Sequence, residues 1–265
     1  MQTTAFDRYE QRHSPIHRLD PRIKTIVTGL FILGNVLLPD GAWVAFAATW
    51  GLIWLSGRLA NLSFSFILKR SFIVLPFTLA AITVLFSTQG TAVFTFPLFS
   101  NTITIASEGM VRFASIVIRS WLSIQGAILL TATTRFPDLM HALRHLRAPR
   151  LLVAIISFMY RYLFVLVEEA MRLLRAREAR SAQTAGNQGG GSVLWRAKVA
   201  GSMVGQLFIR SFERSERVYN AMLARGYRGQ LMTMNPHELT RRDWVGLGTA
   251  VFLLILIQII GSLIA

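Results

Sequence analysis

Apolar residues fall in five long blocks separated by polar stretches. Residues 25–38 (TIVTGLFILGNVLL) form the first block, which stops at Pro39-Asp40-Gly41, a turn signal. Residues 42–56 (AWVAFAATWGLIWLS) follow at once. Each of these two is somewhat short of the ~20 residues that cross a bilayer, and with their flanks they predict a tight transmembrane hairpin. Blocks at 71–88 (with Pro76 inside it), 108–132 and 244–264 predict three more spans. Residues 89–107 (QGTAVFTFPLFSNTITIAS) are β-branched, aromatic and uncharged. They predict a short extracellular hairpin or a re-entrant piece, with a structural role.

The region 133–243 is patterned differently. Residues 136–147 (FPDLMHALRHLR) predict a short amphipathic helix, with Pro137 in the first turn where proline is tolerated. Pro149 separates it from 150–181, which is apolar at first (LLVAIISFMYRYLFVLV) and then charged (EEAMRLLRAREARS). Arg161 sits in the apolar part, and an arginine at the centre of a span costs about 2.5–3.5 kcal/mol. A sixth span would also carry the following basic stretch to the far side. The segment therefore predicts a long helix lying along or beneath the membrane. Residues 183–192 (QTAGNQGGGS) read as a flexible linker. A second long helix is expected over 193–224, with an apolar stripe of Val204, Phe208, Phe212, Tyr219 and Met222 and an i,i+4 pair of Glu213 with Arg217. At 1.5 Å per residue each long helix reaches about 45–50 Å, more than a connection needs, and such length suggests motion carried over a distance.

Composition agrees with a membrane protein. The 265 residues are 53% hydrophobic and 15% charged, against about 25% charged in soluble domains. A formal charge of +15 would suggest nucleic acid in a soluble domain, but here the basic residues lie between apolar blocks, so topology explains them and no nucleic acid is expected. No Lys or Arg lies between the first two blocks or in 87–107; Arg58, Lys69 and Arg70 lie between the second and third; and 133–243 holds 18 Lys/Arg against 8 Asp/Glu. That alternation predicts a multi-pass protein of the inner (cytoplasmic) membrane with its N-terminus and the 133–243 region cytoplasmic. The N-terminus has no short apolar core followed by a cleavage site, so no signal peptide is expected. There is no cysteine, which excludes disulfides and thiolate chemistry.

Two segments carry the functional signal: Ala179-Arg180-Ser181 and Ala224-Arg225-Gly226. Each closes a long helical pattern. A cation is favoured at a helix C-terminus by about 0.3–1 kcal/mol, and Gly226 suits a left-handed cap, so simple capping is one reading. The repetition, with small residues on both sides of each Arg, favours docking into another protein, where the guanidinium offers a fork to a carboxylate. Ala197, Gly201 and Gly205 form a small-residue face, expected at a crossing of the two long helices or at another subunit. Arg119 is expected to bond to backbone or a neighbouring helix, and Arg112 to sit by Glu108. His141 with His145, and His13 with His17, have metal-compatible spacing but no further ligand, and read as surface pairs. Gly189-Gly190-Gly191 lacks the Lys-Ser/Thr of a phosphate loop. No catalytic cluster, metal site or cofactor is expected.

HRLDPRIK (17–24), FPDLMHALRHLRAP (136–149), MYRYLFVLVEEAMRLLRAREARS (159–181) and above all ERSERVYNAMLARGYRG (213–229) resemble the transmembrane T component of energy-coupling factor (ECF) transporters, of the CbiQ type of cobalt importers. The resemblance covers nearly the whole chain. It implies an all-α integral membrane protein with about five transmembrane helices and a cytoplasmic coupling domain of one short and two long helices. The division would be 1–24 cytoplasmic, 25–132 four spans, 133–243 coupling domain, and 244–265 the last span. It further implies a non-catalytic subunit that links an ABC-type ATPase dimer to a separate substrate-binding membrane subunit, docking through Ala179, Arg180 and Ser181 and through Ala224, Arg225 and Gly226. Cobalt and nickel systems share this component type. The competing reading is a self-sufficient secondary transporter or channel, for which Asn35, Thr49 and Gln258 are the available intramembrane polar groups.

Overall fold

The structure, a computed structural model, describes residues 9, 10, 12, 14–74, 76, 81–85, 92–98, 101–180, 192–229 and 239–264. Its helices are α1 (Pro21–Leu37), α2 (Trp43–Leu59), α3 (Phe64–Ser71), α4 (Ser107–Thr133), α5 (Phe136–His145), α6 (Arg150–Arg180), α7 (Val193–Ala224) and α8 (Arg241–Ile264). An antiparallel hairpin of β1 (Ala92–Leu98) and β2 (Asn101–Ala106), with Thr95 opposite Thr104 and Leu98 opposite Asn101, is the only sheet among the described residues. The fold is otherwise helical, and the hairpin alternative for 89–107 is the one adopted. Two compact units divide the chain, residues 1–146 with 236–265, and residues 147–235.

In the first unit α1 begins where the sequence dictates. Asp20 is the N-cap, its carboxylate accepting from Arg22 N at 2.8 Å, and Pro21 occupies the first helical position, where no donor is lost. α1 packs on α4, α5 and α8; α2 packs on α4 and α8; α3 packs on α4. The shared core is Phe31, Leu38, Ala42, Ala45, Phe46, Ile53 and Leu122. Close approach of α1 to α4 depends on Gly126, where a Cβ would fall 2.8 Å from the Phe31 ring. The outward faces stay apolar: Leu33, Leu37, Val245 and Phe252 are each more than 60% exposed. A soluble protein of this size would bury such faces, and lipid is the solvent that accepts them.

Among the described residues, α4, α6 and most of α8 are long and apolar enough to cross a membrane by length and composition. α1 and α2, at 17 residues each, reach about 26 Å, close to the ~30 Å hydrocarbon thickness. The expected third span differs in detail. Regular helix runs through Phe64–Ser71 and tightens into a 3₁₀ turn at Phe72–Val74, and Pro76 is again helical. Residues 81–85 are helical too, and residues 75, 77–80 and 86–88 lie outside the described residues.

Arg119 does bond to backbone and a neighbouring element. Its guanidinium donates to the Leu38 carbonyl and pairs with Asp40 at 2.8 Å. Arg112 also turns to Asp40, at 3.9 Å, rather than to Glu108. Ser115 Oγ accepts from Gly41 N at 3.0 Å. The turn joining α1 to α2, with Gly41 at φ +83°, is thus clamped onto α4 by three side chains.

In the second unit α6 and α7 pack on each other along one stretch. Phe158, Tyr162 and Leu166 of α6 face Ser215, Val218 and Met222 of α7 across a groove of about 310 Å³. No residue of α7 is fully buried.

Candidate coupling surface

α7 ends in a Schellman cap. Arg225 is the C-cap, Gly226 N–H bonds the Leu223 carbonyl at 2.9 Å and Tyr227 N–H bonds the Met222 carbonyl at 2.9 Å. Gly226 has φ +81°, a conformation that costs an L-residue about 1–2 kcal/mol. The glycine stops the helix and leaves the Arg225 side chain exposed at its tip, with open space around Gly226 itself. α6 ends at Arg180, also exposed, with Arg177 in the same last turn. Neither Arg180 nor Arg225 is in an ion pair among the described residues. Ala179 and Ala224 are exposed beside them, while Ser181 lies outside the described residues, as does the linker at 181–191.

The two ends are held apart by an antiparallel contact. Glu169 of α6 pairs with Arg210 of α7, and eleven residues back along α6 Phe158 shares the groove with Met222. Arg210 holds the Glu169 carboxyl below its usual range through that hydrogen bond, with Arg172 adding to it. Arg172 also pairs with Glu168 at 2.9 Å. From the Glu169–Arg210 contact, Arg180 lies eleven residues one way and Arg225 fifteen the other. At 1.5 Å per residue the ends are roughly 35–40 Å apart along the pair.

Several expectations are corrected. The long helices do not cross at Ala197, Gly201 and Gly205. A Cβ at either glycine would meet nothing within 4 Å, and all three positions are exposed. Their contact lies farther along α7, where larger apolar residues offer more surface to bury. Val204, Phe208, Phe212 and Tyr219 remain more than half exposed, and Met222 of the expected stripe lines the groove shared with α6. Glu213 and Arg217 do not pair; the ion pairs of α7 run through Arg210 instead. Asn35 donates to the Arg119 carbonyl and Ser123 Oγ, and Thr49 to the Ala45 carbonyl. Asn35 thus ties α1 to α4 and Thr49 is bonded within its own helix, which leaves a self-sufficient transport path without them.

His17 is no surface histidine either. It is half-buried, with Nδ1 2.7 Å from Ser14 Oγ and Nε2 3.1 Å from the Glu10 carbonyl. Burial lowers its pKa, outweighing the Glu10 carbonyl that raises it. His13 lies outside the described residues. His141 and His145 stack edge-on at 4.7 Å, and no cluster of three or more potential metal ligands occurs among the described residues.

His17 opens a polar knot that patterning alone did not reveal. Lys24 Nζ donates to the His17 and Thr133 carbonyls, each at 3.1 Å. Asp243 Oδ1 accepts from Asp20 N at 2.8 Å, and its Oδ2 accepts from Thr240 N and Oγ1. HRLDPRIK is therefore the segment that ties the start of α1 to the end of α4 and the start of α8. The available signal was three charged residues, Asp20, Arg22 and Lys24, set at the edge of an apolar block.

Comparison with known proteins adds to this geometry. A family described as cobalt transport protein, CbiQ, matches residues 12–235. The energy-coupling factor transporter transmembrane protein EcfT of Brevibacillus brevis is 31% identical over 98% of this chain and 98% of its own. That of Lacticaseibacillus paracasei is 29% identical over 94% and 95%. The cobalt transport protein CbiQ of Rhodobacter capsulatus is 27% identical over 67% and 70%.

Proposed function

Since the chain belongs to the CbiQ cobalt transport protein family, whose relatives here include ECF transporter transmembrane proteins, we propose that it couples an ABC-type ATPase dimer to a separate substrate-binding membrane subunit, with cobalt ion as the cargo. Residues 25–132 and 244–265 form the membrane scaffold, residues 133–243 the cytoplasmic coupling region, and residues 1–24 face the cytoplasm. α6 lies along the membrane despite its apolar length, because Arg161 is exposed within the apolar half and the basic tail that follows belongs on the same side as α5.

One observation carries this reading: two exposed arginine-tipped helix ends, without ion-pair partners among the described residues, spaced by a stiff antiparallel pair. Each tip fits a separate carboxylate-bearing groove, one in each ATPase subunit. Ala179, Arg180 and Ser181 serve one, and Ala224, Arg225 and Gly226 the other. When nucleotide closes the ATPase pair, its grooves move, the tips move with them, and the α6–α7 pair carries the displacement to the substrate-binding subunit. Ala197, Gly201 and Gly205 are a surface for that or another subunit.

The test is co-purification of the ATPases with the membrane complex carrying Arg180→Ala and Arg225→Ala together. Loss of the ATPases, with the chain still folded in the membrane, is expected; full retention overturns the docking assignment. Uptake assays with labelled cobalt and nickel decide the cargo.

A further inference from the structure

Two cavities of the first unit share a wall. An apolar cleft of about 300 Å³ lies among α1, α2, α4 and α8, and a polar pocket of about 190 Å³ lies at the α1 start; Leu19, Lys24 and Thr133 line both. Along α1 the cleft is lined by Ile23, Lys24, Val27, Thr28 and Phe31. Seven residues of helix span about 10 Å, much of the ~15 Å depth of one leaflet. The combination is amphipathic: an acyl-sized groove whose mouth opens on charged groups.

The pocket sets Arg18 and Lys24 against Asp20, Asp138 and Asp243, and it is incompletely bonded. Asp243 is committed on both oxygens, and Lys24 gives two N–H groups to carbonyls. Left facing the pocket are Arg18 and the rest of the Lys24 ammonium on the positive side, and Asp138 and Asp20 on the negative. Asp20 Oδ1 accepts from Arg22 N and lies 3.8 Å from Arg22 Nε, whereas Asp20 Oδ2 is buried with no hydrogen-bond partner, and so is Thr134 Oγ1. Asp20 as a whole is 4% exposed. A buried carboxylate oxygen without a hydrogen bond is costly and calls for a donor.

We infer that this paired cavity is a specific site for one phospholipid with an ammonium-bearing zwitterionic headgroup, phosphatidylethanolamine in type. Its acyl chain fills the cleft, its phosphate meets Lys24 and Arg18, and its ammonium donates to Asp20 Oδ2 and lies near Asp138. A purely anionic headgroup would bring its charge against those carboxylates, and a choline headgroup has no N–H to give. This site does not depend on the ATPase-docking reading.

The experiment is native mass spectrometry of the full chain, delipidated in detergent and titrated with palmitoyl-oleoyl phosphatidylethanolamine, phosphatidylcholine or phosphatidylglycerol. One ethanolamine lipid should be retained about tenfold more tightly than either analogue, the size of one charge-assisted hydrogen bond. Asp20→Asn keeps the α1 cap, since asparagine caps as well as aspartate, and should erase the preference. Ala250→Trp, which fills the cleft from α8, should remove the retained lipid. Equal retention of all three lipids, a preference that survives Asp20→Asn, or a dimer that forms in place of lipid binding overturns the proposal.

Discussion

Arg119, within α4, and Asp40, in the turn between α1 and α2, are joined at 2.8 Å. The same guanidinium donates to the carbonyl of Leu38, the buried C-cap of α1. A charge on a spanning helix therefore satisfies a helix terminus and fixes a turn in place. Replacing Arg119 by Ala should cost about 2–4 kcal/mol, because the carbonyl and the carboxylate lose their donor together. Asp40→Asn, at a half-exposed position, should cost less than about 1 kcal/mol. Thermal unfolding in detergent, followed by size-exclusion chromatography, measures both.

Gly226 supports Arg225 through its backbone conformation. Gly226→Val should cost the last turn of α7 about 1–2 kcal/mol and misdirect the Arg225 side chain, whereas Gly226→Asn, which tolerates the left-handed region, should be mild. Amide hydrogen exchange at Arg225–Tyr227 reads the local effect. Equal exchange in wild type and Gly226→Val would show that the cap is not what orders this end.

The open surroundings of Gly201 separate two roles of its small-residue face. Gly201→Leu should leave the isolated chain as stable as wild type or firmer by up to ~1 kcal/mol, since glycine is a weak helix former. Transport by the assembled complex should fall if a subunit packs there. A stability loss in the isolated chain is the outcome that contradicts the geometry, and unchanged transport removes the subunit contact.

His17 predicts a pH dependence. Its folded pKa is below 6.5, chiefly through burial, so the unfolded chain binds the proton more readily. Stability from this group is fully present above pH 6.5 and is lost as pH falls through the lowered folded value. The neutral ring accepts from Ser14 and donates to the Glu10 carbonyl, and protonation removes the acceptor. Melting temperature should drop between about pH 7 and pH 5, and His17→Gln should reduce that slope. An unchanged slope would place the titration elsewhere.

Helix bounds were legible because they follow from local chemistry. Asp20 and Pro21 start α1, Pro39-Asp40-Gly41 ends it, Pro137 opens α5, and α7 runs over the expected 193–224. The Arg180 and Arg225 termini were legible for the same reason, since a helix end and its left-handed glycine are written within a few residues. The third span was less so. Pro76 marked trouble, but the break comes before it, in the turn Phe72–Val74.

By itself, then, the sequence determined that this is a helical membrane protein with two long helices ending in arginine. Apolar block length, charge placement and capping residues are properties of contiguous chain. Tertiary structure alone decided which partners those residues meet. Arg112 chose Asp40 over its helical neighbour Glu108, Arg210 chose Glu169 forty-one residues away, and Asp20 and Asp243 closed a knot across 223 residues of chain. Such pairings depend on how helices are set side by side, and a one-dimensional pattern records the period of a face but not the identity of what covers it.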